Sequence, residues 1–253
     1  MHNEDFSDIL AAILDVGEIM LTSGAEVNRV ENTMERMAKA YGCTRVDSYT
    51  IILSIVVTVK APDGQVLTQT RRTTFQQTDM RKIEACNALS RKVCSQPVSL
   101  SELEETIKGI KELKEYPIWA MFAIYGFISA VFSAFFGGSI MDVVAAGLCG
   151  LILYASVYVS GRLRLQRIIL NILCSMMVAL GAVGLTRLGI GDSVDKIIIG
   201  NIMLLIPGIA FTTSLRDMIN GDLISGLLGL CEAVIRALAI AAGFALVLWG
   251  VPW

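Results

Sequence analysis

The 253-residue sequence has few charged residues and a single histidine, and these shortages exclude several classes of protein. Charged residues make up 17% and hydrophobic residues 54% of the chain, against about 25% and about 45–50% in soluble domains. The mean hydropathy is +0.63, and the formal charge of −2 offers no basic surface for nucleic acid. The chain is therefore too apolar to be soluble along its whole length, and it is not a basic nucleic-acid-binding protein.

The sequence also lacks the patterns of common enzymes and metal sites. The only histidine is His2 in the N-terminal tail, so a histidine-dependent triad or metal site is not expected. No glycine-rich phosphate-binding loop occurs. The six cysteines form no CxxC pair, so we expect small buried side chains rather than zinc ligands or disulfides. The sequence predicts neither an enzyme nor a cofactor or metal site.

The charges are distributed unevenly and divide the chain near Pro117. Residues 1–117 carry 14 Lys or Arg and 17 Asp or Glu, whereas residues 118–253 carry only 7 and 6. We therefore predict a small soluble α+β domain at 1–116, followed by an α-helical membrane domain at 117–253. The N-terminus lacks the basic and apolar regions of a secretory signal, so the first domain is expected to be cytosolic.

The first domain has the apolar spacing of amphipathic helices around a β-hairpin. Ser23–Glu26 and Ser99–Glu102 match capping boxes at helix starts. The β-branched run Ile51–Val59 predicts one buried strand, which a turn at Pro62–Gly64 connects to a second strand at 65–74. Helices are predicted at 5–22, at 27–41, from 79 to about 93, and from 100 onward.

A pair of arginines in the second predicted strand has two interpretations. Arg71 and Arg72 could bind an anion. A solvated strand end is the favoured interpretation, because short runs of charge usually face solvent.

Five apolar segments in the second domain are each long enough to cross about 30 Å of hydrocarbon. The link between the second and third segments holds Arg162, Arg164 and Arg167, and the fourth link holds Arg216. The five segments predict a five-span bundle, and this asymmetry orients it with the N-terminus in the cytosol and the C-terminus outside. The segments are predicted at 118–136, 140–160, 167–187, 194–213 and 223–250.

Ionisable side chains in the apolar segments are candidate functional residues, because burying them in hydrocarbon is costly. Asp222, Ser225, Glu232 and Arg236 recur at helical spacing and share one stripe of the fifth segment. Glu232 lies about 15 Å beyond Asp222 along the helix, which places it within the membrane. A structural Glu232–Arg236 ion pair and a direct role in substrate or proton passage are equally favoured.

The fourth segment contains Pro207–Gly208, which predicts a break in its helix. Broken membrane helices form binding sites in many transporters, although a plain kink is the simpler interpretation. Asn201 before the break, and Thr212 and Thr213 after it, add hydrogen-bonding groups that favour a binding site.

The sequence contains the segments Ser23–Glu31, Leu205–Gly208, Leu215–Asp217, Gly221–Gly226 and Glu232–Ala233. Together these segments resemble the threonine/serine exporter family, and the resemblance covers nearly the whole chain. It implies a proton-driven exporter of the cytoplasmic membrane for threonine and serine or, in two-subunit relatives, for dicarboxylates such as succinate. Fused members carry a second multi-span half, so this chain resembles the larger subunit of a split exporter with a small multi-span membrane partner.

The sequence therefore predicts one subunit of a secondary exporter for a small polar metabolite. Pro207 and Gly208 would shape the site, and Asp217 and Asp222 would guard its cytosolic mouth. Arg216 would attract a carboxylate, while Glu232, paired with Arg236, would carry a proton. The expected transport path consists of Asn201, Pro207, Gly208, Arg216, Asp217, Asp222, Ser225, Glu232 and Arg236.

A second hypothesis is a non-transporting, membrane-anchored sensor or assembly protein that acts through its cytosolic domain. The intramembrane charges argue against it, because an anchor does not need them. Neither hypothesis involves nucleic acid, and both are compatible with a homo-oligomer.

Overall fold

The computed structural model describes residues 3–73, 78–114, 116–162 and 166–250. His2, Thr74 and Arg164, which enter the sequence interpretation, lie outside these ranges. The described elements are α1 Asn3–Thr22, α2 Val27–Ala40, β1 Arg45–Ile51, β2 Ser54–Lys60, β3 Val66–Arg72, α3 Met80–Ser95, α4 Leu100–Lys111, α5 Ile118–Phe135, α6 Ile140–Arg162, α7 Arg167–Arg187, α8 Val194–Leu205, α9 Gly208–Ile219 and α10 Leu223–Gly250.

The three strands form an antiparallel sheet in the order β1-β2-β3. Ile55, Val57 and Val59 of β2 are fully buried, because alternate residues of a strand point to the same face. Lys60 pairs with Val66 on the far side of a turn in which Gly64 has a φ of +89°. The predicted hairpin is therefore confirmed.

The single strand predicted at Ile51–Val59 is wrong in its extent. The chain reverses inside this run, so that Ile51 at the end of β1 pairs with Ser54 at the start of β2. The sequence pattern does not predict β1, because few of its residues are apolar and, apart from the buried Thr50, they are exposed or half-buried. A strand that is largely solvated gives little periodic hydrophobic signal.

The four N-terminal helices and the sheet share one core with α1 at its centre. Leu10, Ile13 and Leu14 of α1 have no exposed surface, and α1 contacts α2, α3, α4 and the sheet. The helix starts predicted at Asp79 and Ser99 are confirmed by side-chain caps. The Asp79 carboxylate accepts a hydrogen bond from the Arg81 N–H at 3.1 Å, and the Ser99 hydroxyl accepts one from the Glu102 N–H at 3.4 Å.

The capping box predicted at Ser23–Glu26 is wrong. The Ser23 N–H donates to the Ile19 carbonyl at 3.0 Å, so Ser23 belongs to the end of α1. Gly24 then adopts a left-handed backbone with φ of +87°, which ends that helix. Glu26 occupies the N-cap of α2, but its side chain makes no capping hydrogen bond.

The structure shows the surroundings of Arg71 and of the six cysteines, whose roles the sequence left open. Arg71 pairs with Asp15 of α1 at 3.3 Å, which is a structural role rather than an anion site. Four of the six cysteines are buried as predicted, whereas Cys94 and Cys231 are exposed.

Four helices, α5, α6, α7 and α10, are long and apolar enough to cross a membrane. The segments α8 and α9 meet the same test only when taken together, so the described residues contain four or five candidate spans. The helix is interrupted at Ile206 and Pro207, which confirms the predicted break. The chain is therefore a mostly helical, multi-pass membrane protein with a small sheet near its N-terminus.

Glycines bring the membrane helices into close contact. A Cβ on Gly150 of α6 would lie 2.6 Å from the Tyr125 carbonyl oxygen of α5. A Cβ on Gly200 of α8 would lie 2.5 Å from the Ser129 carbonyl oxygen of α5. No side chain fits at either crossing, as expected for helices that associate in lipid by backbone approach at small residues.

The chain forms two compact units. The first combines the residues up to Lys114 with Ile209–Cys231. The second combines the segment between Lys114 and Ile209 with the residues from Glu232 onward. The segment 209–231, which has an apolar sequence, is therefore part of the same unit as the N-terminal domain. The division into a soluble and a membrane domain at residue 116 stays a prediction.

Candidate functional site

The first unit contains a group of charged side chains that we call the acidic cluster: Glu26, Glu31, Arg216, Asp217 and Asp222. An ion pair joins α9 to the start of α2, with the Arg216 guanidinium donating to the Glu26 carboxylate at 2.7 Å. The Arg216 side chain is 66% exposed, so this pair is weakly stabilising. Arg216 nevertheless has a carboxylate partner from the protein itself.

Asp217 is the buried member of the acidic cluster, with only 6% of its surface exposed. Its carboxylate accepts a hydrogen bond from the Val27 N–H, the first amide of α2, at 3.2 Å. The first N–H groups of a helix have no partner within the helix, and the helix dipole attracts negative charge there. Asp217 therefore caps α2 in place of the predicted serine.

Glu31 of α2 extends the acidic cluster toward the sheet. Its carboxylate accepts a hydrogen bond from the Thr50 N–H of β1 at 2.7 Å. Burial raises the pKa of Glu31 above its ordinary value, and the nearby negative charge of Asp222 adds to this effect. Glu31 is absent from the residues proposed from sequence as a transport path, although it is the last residue of the opening segment that carries the family resemblance.

The turn between α9 and α10 places Asp222 in the acidic cluster. Gly221 has a φ of +102°, and the Asp222 N–H donates to the Asp217 carbonyl at 2.9 Å, which closes the end of α9. Ser225 is 2% exposed. A Cβ on Gly226 would lie 2.6 Å from the Ser214 carbonyl oxygen, so α9 and the start of α10 pack at backbone contact.

The second unit contains a separate group that we call the guanidinium cluster: Arg167, Glu232 and Arg236. Glu232 and Arg236 form an ion pair across one turn of α10. The Arg167 guanidinium lies 3.8 Å from the same Glu232 carboxylate oxygen. The side chains of Arg167, Glu232 and Arg236 are 31%, 44% and 22% exposed, so the cluster is not sealed inside the chain.

The contact with Arg167 shows where the Glu232–Arg236 pair lies along the membrane-spanning helices. Arg167 is the first residue of α7, so the pair lies beside the end of that span rather than beside its middle. The remainder of α10, from Glu232 to Gly250, is about 27 Å long and nearly matches the hydrocarbon thickness by itself. Arg167 was considered in the sequence only as a marker of membrane orientation; its position just before an apolar span was the available signal.

Asn201 lies in a helix contact within the second unit and has no exposed surface. Its amide nitrogen donates to the Ala146 carbonyl at 3.2 Å and the Ile197 carbonyl at 2.9 Å. Its amide oxygen accepts a hydrogen bond from the Ser129 hydroxyl at 3.0 Å. Asn201 thereby links α5, α6 and α8, and these bonds use most of its hydrogen-bonding capacity.

The residues after the helix break direct their hydroxyl groups back to their own helix. The Thr212 and Thr213 hydroxyls both donate to the Ile209 carbonyl, at 3.0 and 2.9 Å. Pro207 and Gly208 stand at the break itself, between α8 and α9.

The predicted path residues are therefore found in different surroundings. Arg216, Asp217 and Asp222 come together with Glu26 and Glu31, whereas Glu232 and Arg236 come together with Arg167. Among the described residues, no group of three or more His, Cys, Asp or Glu side chains could hold a metal ion.

Residues 11–249 match the sequence profile of the family described as "Putative threonine/serine exporter". The chain belongs to the threonine/serine exporter family. Its sequence is 23% identical over 241 residues to the "Probable succinate transporter subunit YjjP" of Klebsiella aerogenes, covering 91% of this chain and 90% of that protein.

A second relative in the threonine/serine exporter group is longer than this chain. The sequence is 22% identical over 249 residues to the "Probable threonine/serine exporter" of Mycobacterium tuberculosis, covering 96% of this chain. The chain spans 46% of that relative, or about half its length. No solved structure matches the chain.

Two of the segments that carry the resemblance to the threonine/serine exporter family are in direct contact. Glu26 and Val27 in the opening segment bind Arg216 and Asp217, which are 190 positions further along the chain. With Asp222 from the segment Gly221–Gly226, the acidic cluster combines residues of three of these segments, and no single one contains it.

Proposed function

We propose that this chain is a subunit of a secondary active exporter that moves a small polar metabolite out of the cell with proton coupling. The expected metabolite is threonine, serine or a dicarboxylate such as succinate. The guanidinium cluster is the observation that carries the proposal, because its charged groups lie on helices of membrane-spanning length and remain partly exposed. A purely structural ion pair would be expected to be enclosed by protein. The family match and the names of the relatives support the substrate class.

The proposed orientation puts the N-terminus and the acidic cluster on the cytosolic side and the C-terminus outside. Asp217 and Asp222 would lie at the cytosolic mouth, and Pro207 and Gly208 would shape the path. Arg216 would attract a substrate carboxylate, which would have to displace Glu26 from its 2.7 Å ion pair.

The proposed proton carrier is Glu232. Its carboxylate has two guanidinium groups nearby, so it must release at least one of them before it can bind a proton. Export driven by inward-moving protons is antiport, so the proton and the substrate would occupy the site in alternation. Glu232 would be ionised while the substrate is bound and would carry a proton on the return step.

A second membrane half would complete the exporter. The chain aligns with 46% of the Mycobacterium tuberculosis relative, and the Klebsiella aerogenes relative is named as a subunit. Five spans per half would allow an inverted repeat, an arrangement that many secondary transporters use. We propose a small multi-span partner subunit that supplies this half.

The test is uptake of labelled threonine, serine and succinate into inverted membrane vesicles that contain the chain and its partner half. With an acidic lumen, we expect uptake of at least one compound and its loss when an uncoupler is added. Glu232→Gln should abolish the proton-driven component, whereas the control Glu105→Gln, at an exposed position of α4, should not change uptake.

Two results would contradict the proposal. Wild-type uptake by Glu232→Gln, at normal amounts in the membrane, would remove the proton-carrier role. No uptake of any of the three compounds with both halves present would favour the membrane-anchored sensor or assembly protein.

A further inference from the structure

The guanidinium cluster contains more positive charge than its ion pair needs. One carboxylate, Glu232, faces two guanidinium groups, so the three side chains carry a net charge of +1. Arg236 is also close enough to Arg167 for their charges to interact. An anion that binds between the two guanidinium groups would reduce the repulsion between them.

Arg236 has a buried donor that forms no hydrogen bond with the described residues. This donor is its Nε atom. A buried donor without a partner is costly, because it has lost water and gained nothing. A guanidinium group carries five N–H donors in a planar fork that matches a carboxylate, and Glu232 cannot occupy all of them.

The position of the cluster gives a solute access to it. Arg167 begins α7 and follows the arginine-containing link that is expected to face the cytosol. The Arg167 and Glu232 side chains keep 31% and 44% of their surface exposed. A metabolite arriving from the cytosol would meet these groups before it reached the middle of the membrane.

We propose that Arg167 and Arg236 form the binding site for the carboxylate of the exported metabolite, with Glu232 as the built-in anion that the substrate displaces. This inference rests on the proposed transport function. The recognised chemistry is a carboxylate, which threonine, serine and succinate share. Glu232 then discriminates among them, because it attracts the ammonium group of an amino acid and repels the second carboxylate of a dicarboxylate.

The test measures KM and kcat of vesicle uptake for threonine and succinate, with the partner half present. Arg167→Lys and Arg236→Lys keep the charge but lose the planar fork, and we expect each to raise KM about ten- to a hundredfold with little change in kcat. Because Glu232→Gln is expected to lose proton-driven uptake, this variant is compared by equilibrium binding, in which it should lower the Kd for succinate relative to that for threonine. Threoninol, which lacks the carboxylate, should inhibit threonine uptake at least tenfold more weakly than serine does.

The matched control is Arg162→Lys. Arg162 lies on the same link, but it hydrogen-bonds to the Tyr158 hydroxyl at 2.5 Å and stacks on that ring, outside the cluster. This variant should keep the wild-type KM. A role of Arg167 and Arg236 that is only structural would lower the amount or thermal stability of the protein and leave KM unchanged.

The failure of this inference and of the transport function can be distinguished. Wild-type uptake with unchanged KM in both lysine variants would overturn the carboxylate site and leave the exporter proposal standing. Equal inhibition by threoninol and serine would do the same. If the wild-type protein transports none of the compounds, equilibrium binding of labelled threonine and succinate to the purified complex decides. Binding that is weaker in the lysine variants than in the wild type supports the site. The site is overturned if the wild type does not bind either compound, or if the lysine variants bind them as tightly as the wild type does.

Discussion

Removal of the Asp217 carboxylate is expected to loosen the first turn of α2. The Glu26 side chain makes no cap, and the first turn of α2 has no acidic side chain of its own. Loss of a capping acceptor costs about 0.5–2 kcal/mol, and loss of a negative charge at a helix N-terminus costs about 0.3–1 kcal/mol. Asp217→Ala should therefore destabilise this turn by about 1–3 kcal/mol, whereas Asp217→Asn keeps an acceptor and should lose only the charge contribution.

Hydrogen exchange of the backbone amides at Val27–Val30 measures this effect directly. A loss of about 1–3 kcal/mol corresponds to exchange that is faster by about 5- to 160-fold. The full-length protein in lipid nanodiscs, followed by mass spectrometry, would show the change in peptides from the start of α2. Asp47→Ala is the control, because Asp47 is an exposed residue of the same unit whose one ion pair among the described residues is a surface contact with Arg45.

The reasoning would be refuted if Asp217→Ala left exchange at Val27–Val30 at the wild-type rate. It would also be refuted if Asp217→Asn and Asp217→Ala accelerated exchange equally, because the hydrogen bond would then contribute nothing beyond the charge.

Two further substitutions test the described contacts. Asn201→Ala leaves the Ser129 hydroxyl without its acceptor and should lower stability by about 1–3 kcal/mol in thermal unfolding. The control is Ser156→Ala, because the Ser156 hydroxyl donates to the Ile152 carbonyl of its own helix. Equal losses of stability in the two variants would contradict a special role for Asn201. The folded protein binds the Glu31 proton more tightly than the unfolded chain does, because burial raises the pKa of Glu31. Stability should therefore fall as the pH rises above the ordinary glutamate pKa. Glu31→Gln should reduce that fall when the free energy of unfolding is compared between about pH 4 and pH 7. Identical pH profiles of the variant and the wild type would contradict this contribution of Glu31.

Features that depend on local periodicity are predicted well from the sequence. The apolar segments become helices at nearly their predicted positions, because about 20 consecutive apolar residues form a helix wherever a membrane is available. The helix break at Pro207 follows from the missing backbone donor of proline. The Ser99 cap forms because its acceptor and donor are only three residues apart.

Features that depend on distant contacts are not predicted. Ser23 has the right spacing for a capping box, but Gly24 ends α1 there, and the cap comes from Asp217 instead. Nothing in the periodicity of either segment shows that they meet. The same holds for Arg167, which lies 65 positions before Glu232 in the chain and contacts it. Because of this contact, the ion pair is found beside the end of a span, whereas the sequence predicted a position inside one.

The distance along the chain between α2 and its cap has a consequence during synthesis. Val27 leaves the ribosome 190 residues before Asp217 does, which at about 5–20 residues per second is about 10–40 seconds. Throughout that interval the N-terminal domain has an open helix end that later-made chain must fill. Its final local stability is acquired only after most of the apolar segments have been translated, so quality control that acts early would encounter a domain that is not yet finished.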